Sequence, residues 1–137
     1  MMKKMLVLSM ALTMSACSVM QPKTSEEQVL SRAEQRMAAL KALDFDKAYK
    51  FMSPGYRATN SLAVFKADFS GAVNMLSYEV IRSGCPEEDV CQVVVKTQYT
   101  ISGLGTPYSD EQKFVIDPVA TQKWILVDGK WWYVRAD

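Results

Sequence analysis

The chain has 137 residues, 49% of them hydrophobic, and contains no histidine. Its 16 basic and 15 acidic side chains nearly cancel, and no arginine-rich run or basic helix is present, so the electrostatic footprint of a nucleic-acid binder is missing. The lack of histidine also removes the commonest general base and a principal zinc ligand.

The amino end has three parts in order: the basic pair Lys3 and Lys4, an apolar stretch over 5–14, and the small residues Ser15 and Ala16 before Cys17. This is the layout of an export signal. The apolar stretch is too short for a transmembrane helix, which needs about 20 apolar residues to cross about 30 Å of hydrocarbon. Charged Lys23, Glu26 and Glu27 soon follow.

Met14-Ser15-Ala16-Cys17 resembles the lipobox of bacterial lipoprotein precursors, with methionine where the family most often has leucine. The resemblance implies removal of residues 1–16, acylation of Cys17 and a short tether over 17–23. Ser18, in place of the aspartate that tends to retain such proteins in the inner membrane, implies an outer-membrane anchor with the domain facing the periplasm. Residues 18–23 reach roughly 20 Å at about 3.3–3.6 Å each, which would hold the folded part close to its membrane. Without Lys3 and Lys4 the 16 basic residues fall to 14 against 15 acidic. About 120 residues then remain, one domain over 24–137 with a modest core.

A helical half is expected over 24–73. Thr24 and Glu27 form a capping box, and Val29, Ala33, Met37 and Leu40 recur on one face, predicting a first helix to about Leu43. Asp44 can cap a second helix carrying Phe45, Ala48, Tyr49 and Met52, which Pro54 and Gly55 end. Asn60 or Ser61 can start a third, with Leu62, Phe65, Phe69 and Val73 on its buried side.

A strand-rich half follows. Residues 75–83 and 90–101 alternate with period two, making Leu76, Tyr78 and Val80 the apolar side of the first strand and Cys91, Val93, Val95, Tyr99 and Ile101 the apolar side of the second. Setting Val80 opposite Val95 also sets Glu79 opposite Lys96, a favourable cross-strand pair. Cys85 and Cys91 flank a turn-like segment and are expected to form a disulfide in an oxidising compartment. That register faces Cys91 with Gly84, so an extra residue is needed, and a bulge is predicted at Ser83-Gly84. Glu87-Glu88-Asp89 reads as a solvated turn, and no metal or cofactor is expected. Gly103-Leu104-Gly105-Thr106-Pro107 reads as a flexible connection, lacking the lysine of a phosphate-binding loop.

Asp128-Gly129 predicts a two-residue hairpin turn with Trp124, Leu126, Trp131 and Tyr133 on one face and Ile125, Val127, Trp132 and Val134 on the other. Both faces are apolar, so cover on each side is expected.

Helices first and strands second is the order of an α+β protein. The Leu43-Asp44-Phe45-Asp46-x-Ala48-Tyr49 segment, the following Ser53-Pro54-Gly55-Tyr56-Arg57 and the Trp124-x-x-x-Asp128-Gly129-Lys130-Trp131 hairpin resemble the nuclear-transport-factor-2-like superfamily. That resemblance implies three helices on a curved antiparallel sheet, often with a pocket. A cystatin-like helix-on-sheet domain is the alternative. Tyr56, Asp68, Tyr78, Val80, Val95 and Tyr99 are the candidate pocket residues. Asp68 with the three tyrosines is the nearest substitute for the acid–base groups of family isomerases and hydratases, and no catalytic residue is assigned. The expected role is a non-enzymatic module that docks an envelope protein, through a sheet surface or exposed aromatics around Tyr108 and Tyr133. Binding of a small apolar ligand or lipid is the alternative.

Overall fold

The computed structural model describes residues 21–71, 73–101 and 114–136. Helix α1 (Ser25–Lys41) starts at the predicted capping box: Thr24 Oγ1 accepts from Glu27 N at 3.2 Å, and Glu27 returns a carboxylate to Thr24 N at 2.8 Å. Its inward stripe is Val29, Ala33, Arg36, Met37 and Leu40. The helix stops two residues short of the expected Leu43. Leu43 takes a left-handed φ of 58°, and the N–H groups of Leu43 and Asp44 close back on Leu40 and Ala39, a Schellman ending with leucine where glycine is usual.

Asp44 caps α2 (Phe45–Tyr49) by accepting from Lys47 N at 3.1 Å. Pro54 ends that segment as expected, but it also occupies the first turn of a further helix, α3 (Pro54–Thr59), capped by Ser53. A proline at N1 loses no intrahelical bond and arrives with a helical φ, so one residue serves both purposes. The described residues therefore hold four helices rather than three. Ser61 caps α4 (Leu62–Ala67), which is shorter than predicted. Phe65 is buried, Phe69 lies past the helix end and is partly exposed, and Val73 opens a strand instead of extending the helix. The three short helices are pinned together by aromatic rings: Phe45 stacks on Phe69 at 5.2 Å, and Phe65 meets Phe69, Tyr49 and Tyr56 at 5.0, 5.5 and 6.4 Å.

Five antiparallel strands follow among the described residues: β1 (Val73–Glu87), β2 (Val90–Ile101), β3 (Phe114–Ile116), β4 (Val119–Val127) and β5 (Lys130–Val134), in the order β1-β2-β4-β5 with β3 also on β2. Tyr99 faces Ile116 and Lys96 faces Val119, a common register, so β3 and β4 act as one strand interrupted at Asp117-Pro118. Pro118 has no N–H for the ladder, although its carbonyl still accepts from Thr97 N at 3.0 Å. The architecture is α+β, with α1 packed on β1, β2 and β5 and α2 held against α1 and α4.

Val80 opposes Val95 and Glu79 opposes Lys96, as the charge pattern required. The register slips by one residue at Leu76, at Ile81 and again between Gly84 and Glu87; the slip that sets Cys85 against Cys91 is the one at Ile81, not at Ser83-Gly84, which pair regularly with Val93 and Gln92. The reason lies in the spacing of the inward residues. On β2 Cys91, Val93, Val95, Thr97 and Tyr99 keep strict period two, whereas their β1 partners fall at Cys85, Ser83, Val80, Tyr78 and Met75. Each of the first two bulges absorbs the one-residue excess and throws its own residue outward, leaving Leu76 41% and Ile81 45% exposed. Leu76 accordingly leaves the inner face that period two assigned it. The slip brings Cys85 to Cys91, and the two are joined as a disulfide.

The last hairpin has the predicted register, with Trp124 facing Tyr133 and Leu126 facing Trp131. Asp128 and Gly129 carry φ of 51° and 72°, the paired left-handed values of a type I′ turn. Trp124, Trp131, Val93, Val95 and Cys91 form the core with the α1 stripe and Met52. The other hairpin face is only half-buried: Trp132 is covered by the guanidinium groups of Arg32 and Arg57, at 5.4 and 4.8 Å, and by Lys130 at 5.6 Å, rather than by an apolar layer. Beyond β5, the segment around Met52 runs alongside Tyr133, with Ser53 N donating to Tyr133 O at 2.9 Å and Tyr133 N to Phe51 O at 2.8 Å.

Candidate functional site

The inner sheet face is longer than the helices that cover it. Where α1 gives way to α3 and α4, a cavity of about 350 Å³ remains between them and the sheet. Its floor comes from Thr97 and Tyr99 of β2, Gln122 of β4 and Tyr133 of β5, and its roof from Arg36, Met37 and Leu40 of α1 with Tyr56 and Phe65. A second space of about 240 Å³ adjoins it, sharing Leu40, Asp68, Phe69 and Tyr99 and running out past Leu43 and Met75.

Three of the six candidate pocket residues, Tyr56, Asp68 and Tyr99, meet in the larger cavity. The other three do not. Val95 is buried in the core and Val80 packs on it. Tyr78 donates its hydroxyl to Glu34 Oε1 at 2.8 Å on the α1 side, and burial, then that hydrogen bond, push its pKa above the usual tyrosine value. Tyr133 is not an exposed docking aromatic: it packs edge-on to Trp124 at 5.8 Å, and Arg36 lies 3.7 Å above its ring. Tyr108, the glycine-containing connection over 103–107 and the lipobox with Cys17 lie outside the described residues.

Arg36 is the cavity residue that pattern reasoning passed over. It is 6% exposed, its Nε has no hydrogen-bond partner among the described residues, and its Nη1 reaches only Met37 Sδ at 4.0 Å. Desolvation lowers its pKa from the ordinary value, outweighing the opposite pull of Tyr133 and Tyr99. The signal was present, since Arg36 falls seven residues after Val29 and three after Ala33 on the same stripe, but its charge made it look like a surface residue. Tyr56 Oη is also buried without a hydrogen bond of good geometry, although it lies near enough to Arg135 to be the first contributor to that residue's raised pKa. Asp68 is already committed: it forms an ion pair with Arg135 at the cavity rim.

Gln122 donates to Met37 Sδ at 3.4 Å and accepts from Trp124 Nε1 at 3.3 Å. Among the described residues no three His, Cys, Asp or Glu side chains gather as a metal site.

No family model matches the chain, and no curated protein matches it. Among solved structures it is similar to the solution structure of a SEC-C motif containing protein from Rhodopseudomonas palustris, with a TM-score of 0.58 and 17% identity over 82% of this chain and 77% of the other. The likeness is one of fold.

Proposed function

We propose that this chain is a lipid-anchored, non-enzymatic domain of the bacterial cell envelope that holds a small, largely apolar ligand in the cavity between α1 and the sheet. The observation that carries the reading is the cavity itself: about 350 Å³ is within the size range of small-molecule sites, and its lining combines apolar wall from Met37, Leu40, Met52, Phe65 and Phe69 with polar and charged groups that can orient a ligand. Lipid attachment at Cys17 is supported by the lipobox pattern, and the Cys85–Cys91 disulfide suits an oxidising periplasm. The proposal includes membership of the nuclear-transport-factor-2-like superfamily. The four helices that precede the strands among the described residues support it over a cystatin-like helix-on-sheet domain.

Docking of an envelope protein is the second reading, supported by the exposed row Phe114, Val115, Ile116 and Val119. Native mass spectrometry of the membrane-extracted chain separates the two. Acyl mass on Cys17 with a one-to-one small-molecule adduct is the expected result. A lipidated chain that carries no small molecule but co-purifies with one defined protein would favour docking, and an unlipidated chain would remove the anchor.

A further inference from the structure

A buried arginine without a partner costs stability, because desolvation of the charge is not repaid by an acceptor. Arg36 stands in that position at the cavity wall. Asp68, the acid that lines the same cavity, is paired with Arg135. The Tyr133 ring occupies one flat face of the guanidinium at 3.7 Å, so bonding has to take place at the N–H edge, in the plane of the fork. That edge matches a carboxylate, which accepts two parallel N–H bonds. Tyr56, whose buried hydroxyl also lacks a hydrogen bond of good geometry and lies near Arg135, lines the same cavity. Met37, Leu40, Phe65 and Phe69 supply apolar wall for the rest of a ligand.

We infer that the ligand is a small apolar carboxylic acid, bound with its carboxylate on Arg36 and its hydrocarbon body along the α4 side of the cavity. The inference rests on the proposed reading of the cavity as a binding site. It commits to a carboxylate because, of the two arginines that line the cavity, Arg135 is paired with Asp68 and Arg36 is the buried fork that lacks an acceptor among the described residues.

The test uses the full chain carrying Cys17→Ala, titrated calorimetrically with octanoate and with 1-octanol, which share a chain and differ in charge. Octanoate is expected to bind at least about tenfold more tightly, the gain of a charge-assisted pair. Arg36→Met is expected to abolish that preference while octanol still binds, and to raise the melting temperature of the ligand-free protein. Arg36→Lys, which keeps the charge but not the fork, is expected to keep part of the preference, and serves if the methionine variant fails to fold. Equal binding of the two probes, or a preference that survives Arg36→Met, overturns the inference and leaves the cavity reading intact. A lowered melting temperature for ligand-free Arg36→Met with octanoate binding unchanged also overturns it, since Arg36 would then hold a partner within the chain. If neither probe binds, the cavity reading fails, and this inference with it.

Discussion

Tyr49 and Tyr56 pose the same chemistry with opposite outcomes. The Tyr49 hydroxyl donates to Asn60 O at 2.7 Å and ties α2 to the end of α3, whereas the Tyr56 hydroxyl is buried without a satisfied bond. Tyr49→Phe is expected to cost about 1 kcal/mol in urea unfolding, and Tyr56→Phe to be neutral or stabilising by up to about 1 kcal/mol. Equal losses at both positions would mean that Tyr56 is bonded in solution. Trp124 sits at 0% exposure in the core, and its replacement by alanine is expected to cost about 3–5 kcal/mol, measured by circular dichroism so that the lost fluorophore does not matter. At this scale apolar burial was legible: Val29, Ala33, Met37 and Leu40 face inward as their spacing demands. Arg36 was not, because periodicity places a residue on a face but does not say that an arginine will go unpaired there.

The elements follow from local chemistry wherever caps and turns decide. The Thr24–Glu27 box, the Asp44 cap and the Asp128-Gly129 turn all form as their residue types require. Register across β1 and β2 was likewise legible, because hydrophobic alternation and the Glu79–Lys96 pair point to the same alignment. Bulge positions were not, since three slips within one strand depend on how its inward residues meet a partner with regular spacing. Leu43 exposes a local conflict: it holds a left-handed φ of 58° while 65% exposed. Leu43→Gly is expected to stabilise the domain by about 1 kcal/mol in urea unfolding, as relief from a left-handed backbone that disfavours a side chain outweighs the added freedom of glycine in the unfolded state. A loss of stability would show that the leucine side chain contributes more by lining the smaller space than its backbone costs. Opening the Cys85–Cys91 bridge, with a sequence separation of 6, is expected to cost about 2 kcal/mol on the chain-entropy estimate, read as a fall in the urea midpoint on reduction.

On the scale of the molecule, helix-first, strand-second order was enough for the α+β class, but the cavity could not be read in advance. Its walls are drawn from α1, α3, α4, β2, β4 and β5, and the contacts that set their spacing are distant in sequence; Arg32 Nε, for example, donates to Trp131 O across 99 positions. No local pattern measures the gap left when such elements meet. If Cys17 carries the anchor, Cys17→Ala is expected to move the chain from the membrane to the soluble fraction on cell fractionation, because several acyl chains together hold a protein where one alone is marginal. Unchanged partitioning would point to a different means of attachment.

Proteins tethered to a surface meet one another far more often than in free solution, and a sheet with bare edges invites strand-to-strand growth between copies. Here two stretches of the sheet's edge are guarded in different ways. The backbone of residues 51–53 already occupies the outer side of β5 at Tyr133. The other stretch is β1, whose slips at Leu76 and Ile81 break the even, flat ladder that an identical strand from a neighbour would need to match. The irregular strand that lets Cys85 reach Cys91 thus also makes a poor template for polymerisation.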